Sequence, residues 1–247
     1  MTFGERIDEF NKLIENSNYI VFFGGAGVST DSGIPDFRSA DGLYNQNDVN
    51  FEKYEPEYLL SHTCWWKEPK VFHEFYKQKL DVRNIEPNIT HKILADMEAK
   101  GKLKAVITQN IDGLHQKAGS KEVCEIHGTT ARNYCVSCGK KYPSDYLFTC
   151  KEEVPKCECG GRIRPDVTLY EEQLPDVEWN NANWHIGNAD LIIVGGTSLS
   201  VYPAASLILG WKTPIVLINK DETDMPRLKT AVRFTESLSE VFEKIKY

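Results

Sequence analysis

The sequence has no long apolar run. Its longest strongly apolar stretch, Tyr19 to Val28, is broken by three glycines, far short of the ~20 residues a membrane-spanning helix needs. No secretory leader is expected either: MTFGERIDEFNK mixes both charge signs where a leader would show a basic head and then an apolar run. We therefore expect a cytoplasmic chain with no membrane partner. Positive charge is not in excess either. With 29 Lys and Arg against 36 Asp and Glu the formal charge is −7, which argues against broad phosphate-backbone binding and leaves nucleic acid off the list of expected partners. Low-complexity tracts and internal repeats are absent too.

What is present is an ordinary globular balance, 41% hydrophobic and 26% charged over 247 residues. That length is near the upper limit for one core, so the choice lies between one large α/β domain and a core with a smaller insertion. Thr2 and Glu5 form a capping box before Phe3, Ile7, Phe10, Leu13 and Ile14, which recur at helical spacing. Tyr19 to Phe23 then reads as a buried strand running into Gly24-Gly25-Ala26-Gly27. Further strands are expected at Leu103 to Ile107, Glu122 to Ile126, Asp190 to Val194 and Ile215 to Ile218. A helix is expected around Ala204 to Leu209, and a last one carries Leu238, Val241, Phe242 and Ile245 behind a Ser237/Glu240 capping box. Short apolar strands alternating with helices imply a parallel, doubly wound α/β sheet. Two segments interrupt it, a polar and aromatic helical excursion at about 38–88 and a cysteine-rich segment at about 128–165.

In such a sheet, ligands bind outside the carboxyl ends of the strands. Here those ends read Gly25-Ala26-Gly27-Val28-Ser29-Thr30, Thr108-Gln109-Asn110-Ile111-Asp112, His127-Gly128, Gly195-Gly196-Thr197-Ser198 and Asn219. The glycine loop offers close backbone approach and free N–H groups to a pyrophosphate, but Thr30 replaces the third glycine of a dehydrogenase fingerprint. Asp36-Phe37-Arg38 follows a stiffening Pro35, an aromatic and a cation that suit a charged sugar phosphate. His127, an imidazole titrating near neutrality, suits the removal of a hydroxyl proton.

Seven cysteines are an odd number, and five of them lie between 135 and 159. Cys135-x-x-Cys138 and Cys157-x-Cys159, flanked by glycines, match a zinc ribbon. Four thiolates leave no position for water, so the metal is expected to be structural. Cys150 is an alternative ligand, and Cys64 and Cys124 read as packing residues.

These residues together resemble the sirtuins, NAD-dependent protein lysine deacylases. GAGVSTDSGIPDFRS (25–39), TQNIDGLH (108–115), HG (127–128), the two cysteine pairs and GTSLSVYP (196–203) follow that family in order and spacing. The resemblance implies one catalytic core over 1–247. Its large Rossmann-like part covers about 1–38, 88–127 and 166–247, and a small inserted part combines the helical segment at about 39–87 with the zinc ribbon at about 128–165. It also implies NAD as co-substrate, one zinc ion, acyl-lysine proteins as substrates, and nicotinamide and O-acyl-ADP-ribose as products. By the same resemblance NAD would be held by Gly25, Ala26, Gly27, Thr30, Asp36, Phe37, Arg38, Gln109, Asn110, Ile111, Asp112, His127, Gly196, Thr197, Ser198, Asn219 and Val232. His127 would be the general base and Asn110 would order the ribose or a water. Val167, Tyr170, Glu172 and Val201 would meet the acylated peptide. Glu171 stands where members usually carry glycine, and Lys79 where members acting on acidic acyl groups carry arginine. Mono-ADP-ribosyl transfer and a non-catalytic NAD-binding module are the rival readings.

Overall fold

The computed structural model describes residues 1–37, 42–43, 51–220 and 228–247. Helix α1 (Phe3–Asn16) starts at the Thr2/Glu5 capping box and buries Ile7, Phe10 and Ile14 on one face. Burial of three such side chains stabilises the fold by roughly 5–8 kcal/mol before chain entropy is counted. Strand β1 (Ile20–Gly24) follows, buried at every residue. The excursion supplies α2 (Pro56–Leu59), α3 (His62–Lys67) and α4 (Pro69–Lys79), and α5 (Ile89–Ala99) returns the chain to β2 (Leu103–Thr108). Then come α6 (Leu114–Ala118), β3 (Val123–Glu125), β4 (Gly128–Cys135), β5 (Lys141–Tyr142), α7 (Tyr146–Thr149) and β6 (Ile163–Val167). The chain closes with α8 (Asp176–Asn188), β7 (Leu191–Gly195), β8 (Ile215–Ile218), β9 (Val232–Phe234) and α9 (Leu238–Phe242).

Six strands form one sheet in the order β3-β2-β1-β7-β8-β9, paired in parallel throughout. The period-two alternation of each central strand feeds both faces. Ile20, Phe22, Leu191, Ile193, Val216 and Ile218 pack with α1, α5 and α9, while Val21, Phe23, Ile192, Val194, Ile215 and Leu217 pack with α8 and residues 204–208. A sheet covered on both faces needs such continuous apolar strands. Its order reverses between β1 and β7, and the crevice at that switch point is where a doubly wound fold binds ligands.

A second, antiparallel sheet has the order β5-β4-β6. Residues of the helical excursion (Trp65, Phe72, Phe75, Tyr76) and of the cysteine segment (Cys135, Leu147, Cys157, Ile163) share one further apolar cluster. Two expectations change in detail. Ala204–Ile208 winds as a 3-10 helix, not an α-helix, and α9 ends at Phe242, although Ile245 beyond it is still buried. Among the described residues no helix is long and apolar enough to cross a membrane.

Candidate active site

The strand ends meet as their order requires. Gly27 N–H donates to Gly196 O at 2.9 Å, locking the loop after β1 against the loop after β7. A Cβ on Gly27 would lie 2.8 Å from Gly196 Cα, and Gly196 has φ +59°, so neither position has room for a side chain. Above these loops opens a cavity of about 670 Å³. Gly25, Ala26, Gly27, Thr30, Asp36, Phe37, Gln109, Asn110, Ile111, His127, Gly196, Thr197, Ser198 and Asn219 line it. So do Val167, Tyr170, Glu172 and Val201. Asp112 lies on an adjoining cavity of about 50 Å³ that shares Ala26, Phe37, Asn110 and Ile111 with the first. Val232 is placed elsewhere: at 2% exposure it packs into the core from β9 and does not line the cavity. Arg38 lies outside the described residues.

The polar groups are braced from behind. Asn110 Nδ2 donates to Ser29 Oγ at 3.0 Å, and Ser29 Oγ donates to Asp112 Oδ2 at 2.7 Å. Asp112 Oδ1 accepts from Leu114 N–H at 2.9 Å, and Gln109 Nε2 donates to Thr197 Oγ1 at 2.9 Å. Burial pushes the Asp112 carboxyl up from its ordinary value against the opposing pull of the Leu114 N–H, the Ser29 hydroxyl and the Asn110 amide.

His127 stands at the junction of the two sheets. Its Nδ1 is 3.0 Å from Gln109 O, and a carbonyl only accepts, so Nδ1 carries the proton. Nε2 is then the basic nitrogen of the neutral ring. Burial pushes the imidazole below its ordinary 6.5, with the Gln109 carbonyl pulling the other way. The next residue, Gly128, has φ +74°, and a Cβ there would sit 2.1 Å from Asp166 O. Only glycine lets β4 approach β6 this closely.

Beyond His127, Thr168 N–H donates to His127 O, which ties the 167–172 segment to the junction. Glu172 accepts from Arg164 Nη1 and Nη2 at 2.5 and 2.8 Å, and from Leu169 N–H at 2.9 Å, with His62 Nδ1 also at 2.9 Å. Burial would raise its carboxyl, but the Arg164 guanidinium, His62 and the Leu169 N–H outweigh it and hold it at about 2.

The four thiols of Cys135, Cys138, Cys157 and Cys159 lie within 4.8 Å of one another, with Cys135 to Cys159 at 3.5 Å and Cys138 to Cys157 at 3.7 Å. Sulfurs about 2.3 Å from a zinc ion define a tetrahedron with edges of about 3.8 Å, so these residues fit a structural zinc site. Cys150 stands apart from this group. Cys64 and Cys124 are buried as expected, and Cys124 Sγ additionally accepts from Asn181 Nδ2 at 3.4 Å.

Sequence reasoning passed over Ser29, the hinge of the Asn110 and Asp112 network, because its partners lie about 80 residues away and leave no local pattern. It also missed Lys220, Glu236 and Ser237, which line the same cavity. Strand-end position pointed to Lys220 beside Asn219, while Ser237 was legible only as a helix cap.

The sequence profile of the Sir2 family matches residues 25–203. An NAD-dependent protein deacetylase of Clostridium tetani (strain Massachusetts / E88) is 51% identical over 232 residues, 93% of each chain. Among solved structures, Sir2 with a deacetylated p53 peptide and 3'-O-acetyl-ADP-ribose superimposes with a TM-score of 0.86 at 36% identity, and Sir2 bound to an acetylated peptide with 0.84 at 34%. Each alignment covers 96% of both chains. The stretch matched by the profile runs from the first glycine loop through the cysteine ribbon to Pro203, and with that likeness along nearly the whole chain this protein belongs to the Sir2 family.

Proposed function

We propose that the cavity residues divide between them the work of NAD-dependent removal of acyl groups, acetyl first among them, from protein lysines. The chain is an NAD-dependent protein deacetylase, and its substrates are acylated proteins. NAD, when bound, supplies the electrophile, because departure of nicotinamide opens a ribose carbon to the weakly nucleophilic amide oxygen of the acyl-lysine. The chain supplies placement and one proton acceptor. Gly25 and Gly27 donate their N–H groups to Gly195 O and Gly196 O, so the Ala26 N–H, with Thr197 and Ser198, holds the pyrophosphate. Thr30, Asp36, Phe37 and Gln109 hold the ribose and cover it, Gly196 and Asn219 border the adenosine half, and Ile111 with Asp112 fixes the carboxamide. Asn110, oriented by Ser29, orders a ribose hydroxyl or a water. His127 Nε2 takes the proton of a ribose hydroxyl. Val167, Tyr170, Glu172 and Val201 seat the peptide, the first at the end of β6 and the next two on the chain segment that follows it.

The chain divides at this cleft into 1–38 with 88–127 and 166–247, which supply most of its lining, and 39–87 with 128–165, which border it through Leu60, Tyr76 and Leu80. A cytoplasmic setting fits a metal site built from reduced thiols, and the reading requires neither nucleic acid nor a membrane. The observation that carries the assignment is the His127 tautomer, which leaves a base at the meeting point of the NAD crevice and the peptide segment. Incubation with NAD and an acetyl-lysine peptide tests it. Nicotinamide release is expected only when the peptide is present; release at the same rate without peptide would exclude deacylation.

A further inference from the structure

Glu171 has φ +75°, the left-handed region that favours glycine, and it is one of only two non-glycine residues there among those described. It lies in the cavity wall between Tyr170 and Glu172 and is exposed. Its backbone is held by neighbours on both sides. Tyr170 N–H donates to Leu60 O, His62 N–H donates to Tyr170 O, and Glu172 is fixed to Arg164. Its carboxylate is held from one side only. Oε2 accepts from Thr63 N–H at 2.9 Å and from the Thr63 hydroxyl at 2.6 Å. Thr63 is neutral, so the full negative charge stays at the cavity wall. The neighbouring Glu172 differs in that its charge is matched by Arg164. Among the described residues Glu171 makes no ion pair, and the only lysine or arginine lining the cavity is Lys220, in the Asn219-Lys220 segment after β8.

An acyl-lysine side chain is a neutral amide and gives this carboxylate nothing to pair with. What the carboxylate can read is the residue beside the acylated one. We propose that Glu171 is a specificity-determining residue that favours acyl-lysine segments carrying a lysine or arginine at a flanking position. This rests on the reading of the cleft as a deacylase site. The backbone hydrogen bonds on either side place Glu171 on the segment proposed to carry the peptide, and Thr63 fixes where its carboxylate stands. Because the group is solvated, the effect is bounded: an exposed ion pair is worth up to about fivefold, and replacing the attracted cation by a repelled anion about tenfold.

The test is a set of acetyl-lysine peptides in which one flanking position at a time is Lys, Gln or Glu, assayed with NAD on the zinc-loaded wild type and on Glu171→Gln and Glu171→Gly. The glutamine retains an acceptor for Thr63, and the glycine suits the left-handed backbone, so a folding defect in one variant leaves the other to report. At one position wild type is expected to prefer Lys over Glu by about tenfold in kcat/KM, expressed in KM. That ratio should fall to about twofold or less in either variant, and in wild type at about 0.5 M salt. A wild-type enzyme that turns over every peptide without flank preference, or a preference that survives both variants, overturns the proposal. Failure to deacetylate any peptide overturns the reading of the cleft itself, and the proposal with it.

Discussion

With His127 as the proposed base, its protonation is expected to set the pH range in which the cleft works. The ring must be neutral to accept a proton, and burial holds its pKa below 6.5. The acid limb of kcat/KM is therefore expected to fall below pH 6.5, with full activity through neutrality; an acid limb centred above 7 would contradict the buried, Gln109-bonded ring. Replacing the base by His127→Ala should lower kcat/KM by about 10²- to 10⁴-fold, while zinc content and thermal unfolding stay near wild type. Ser29 makes a second residue-level case. Ser29→Ala removes the hydroxyl that Asn110 and Asp112 share, stranding a buried carboxylate oxygen at a cost of about 1.5–3 kcal/mol. A loss of roughly 10- to 100-fold in kcat/KM for NAD is expected, and steady-state kinetics with NAD varied would measure it. Wild-type values in this variant would mean that Leu114 and Asn110 hold Asp112 without the Ser29 hydroxyl.

At the scale of elements, the three-stranded sheet is expected to depend on the metal that its four thiols fit. Cys135 ends β4 opposite Ile163, the first residue of β6, and Cys157 and Cys159 lie just before β6, so the cluster clasps one end of the antiparallel ladder. Structural zinc in small modules stabilises by about 10–16 kcal/mol. Cys135→Ser, or removal of metal by a chelator, should therefore release zinc and melt this sheet together, seen as metal loss and a lowered Tm; a stable, active Cys135→Ser protein would contradict a structural role. These elements were legible to different degrees. The apolar runs of β1 and β7, the capping boxes of α1 and α9 and the cysteine spacing are local patterns, and each stands where its pattern placed it. Residues 204–208 were not legible as a 3-10 turn, since the same apolar spacing serves an α-helix and packing on the sheet decides between them. Val232 belongs to the same lesson. Val232 and Phe234 alternate inward on β9 around Arg233, a core pattern that outweighs a loose resemblance at the adenine end.

For the whole molecule, three buried histidines make stability depend on pH. His73 and His91 are held down to about 4 by burial, and burial, with the His91 ring 4.7 Å away, pushes His115 well below its ordinary value. Unfolded, each binds a proton near 6.5, so the unfolded chain holds more protons below that value. Stability is therefore retained above about pH 6.5 and lost as pH falls from there toward 4. At about pH 5.5 His73 and His91 together cost about 3 kcal/mol, or roughly 10 °C in Tm for a chain of this size, and His115 acts in the same direction. Thermal unfolding at about pH 7.5 and 5.5 would show it, and an unchanged Tm would mean that these rings find partners when protonated. The cleft is also a property of the whole chain. Its strand-end residues were legible because sheet topology gathers them, whereas the Ser29 network and the Glu171 latch onto Thr63 join residues far apart in sequence and become visible only once the chain is folded. The central claim, transfer of the acyl group from lysine to the ADP-ribose of NAD, is tested most directly by quantifying all products of one reaction with an acetyl-lysine peptide. Nicotinamide, deacetylated peptide and O-acetyl-ADP-ribose are expected in equal molar amounts; nicotinamide formed with the acetyl-lysine intact and ADP-ribose attached to a protein side chain would contradict it.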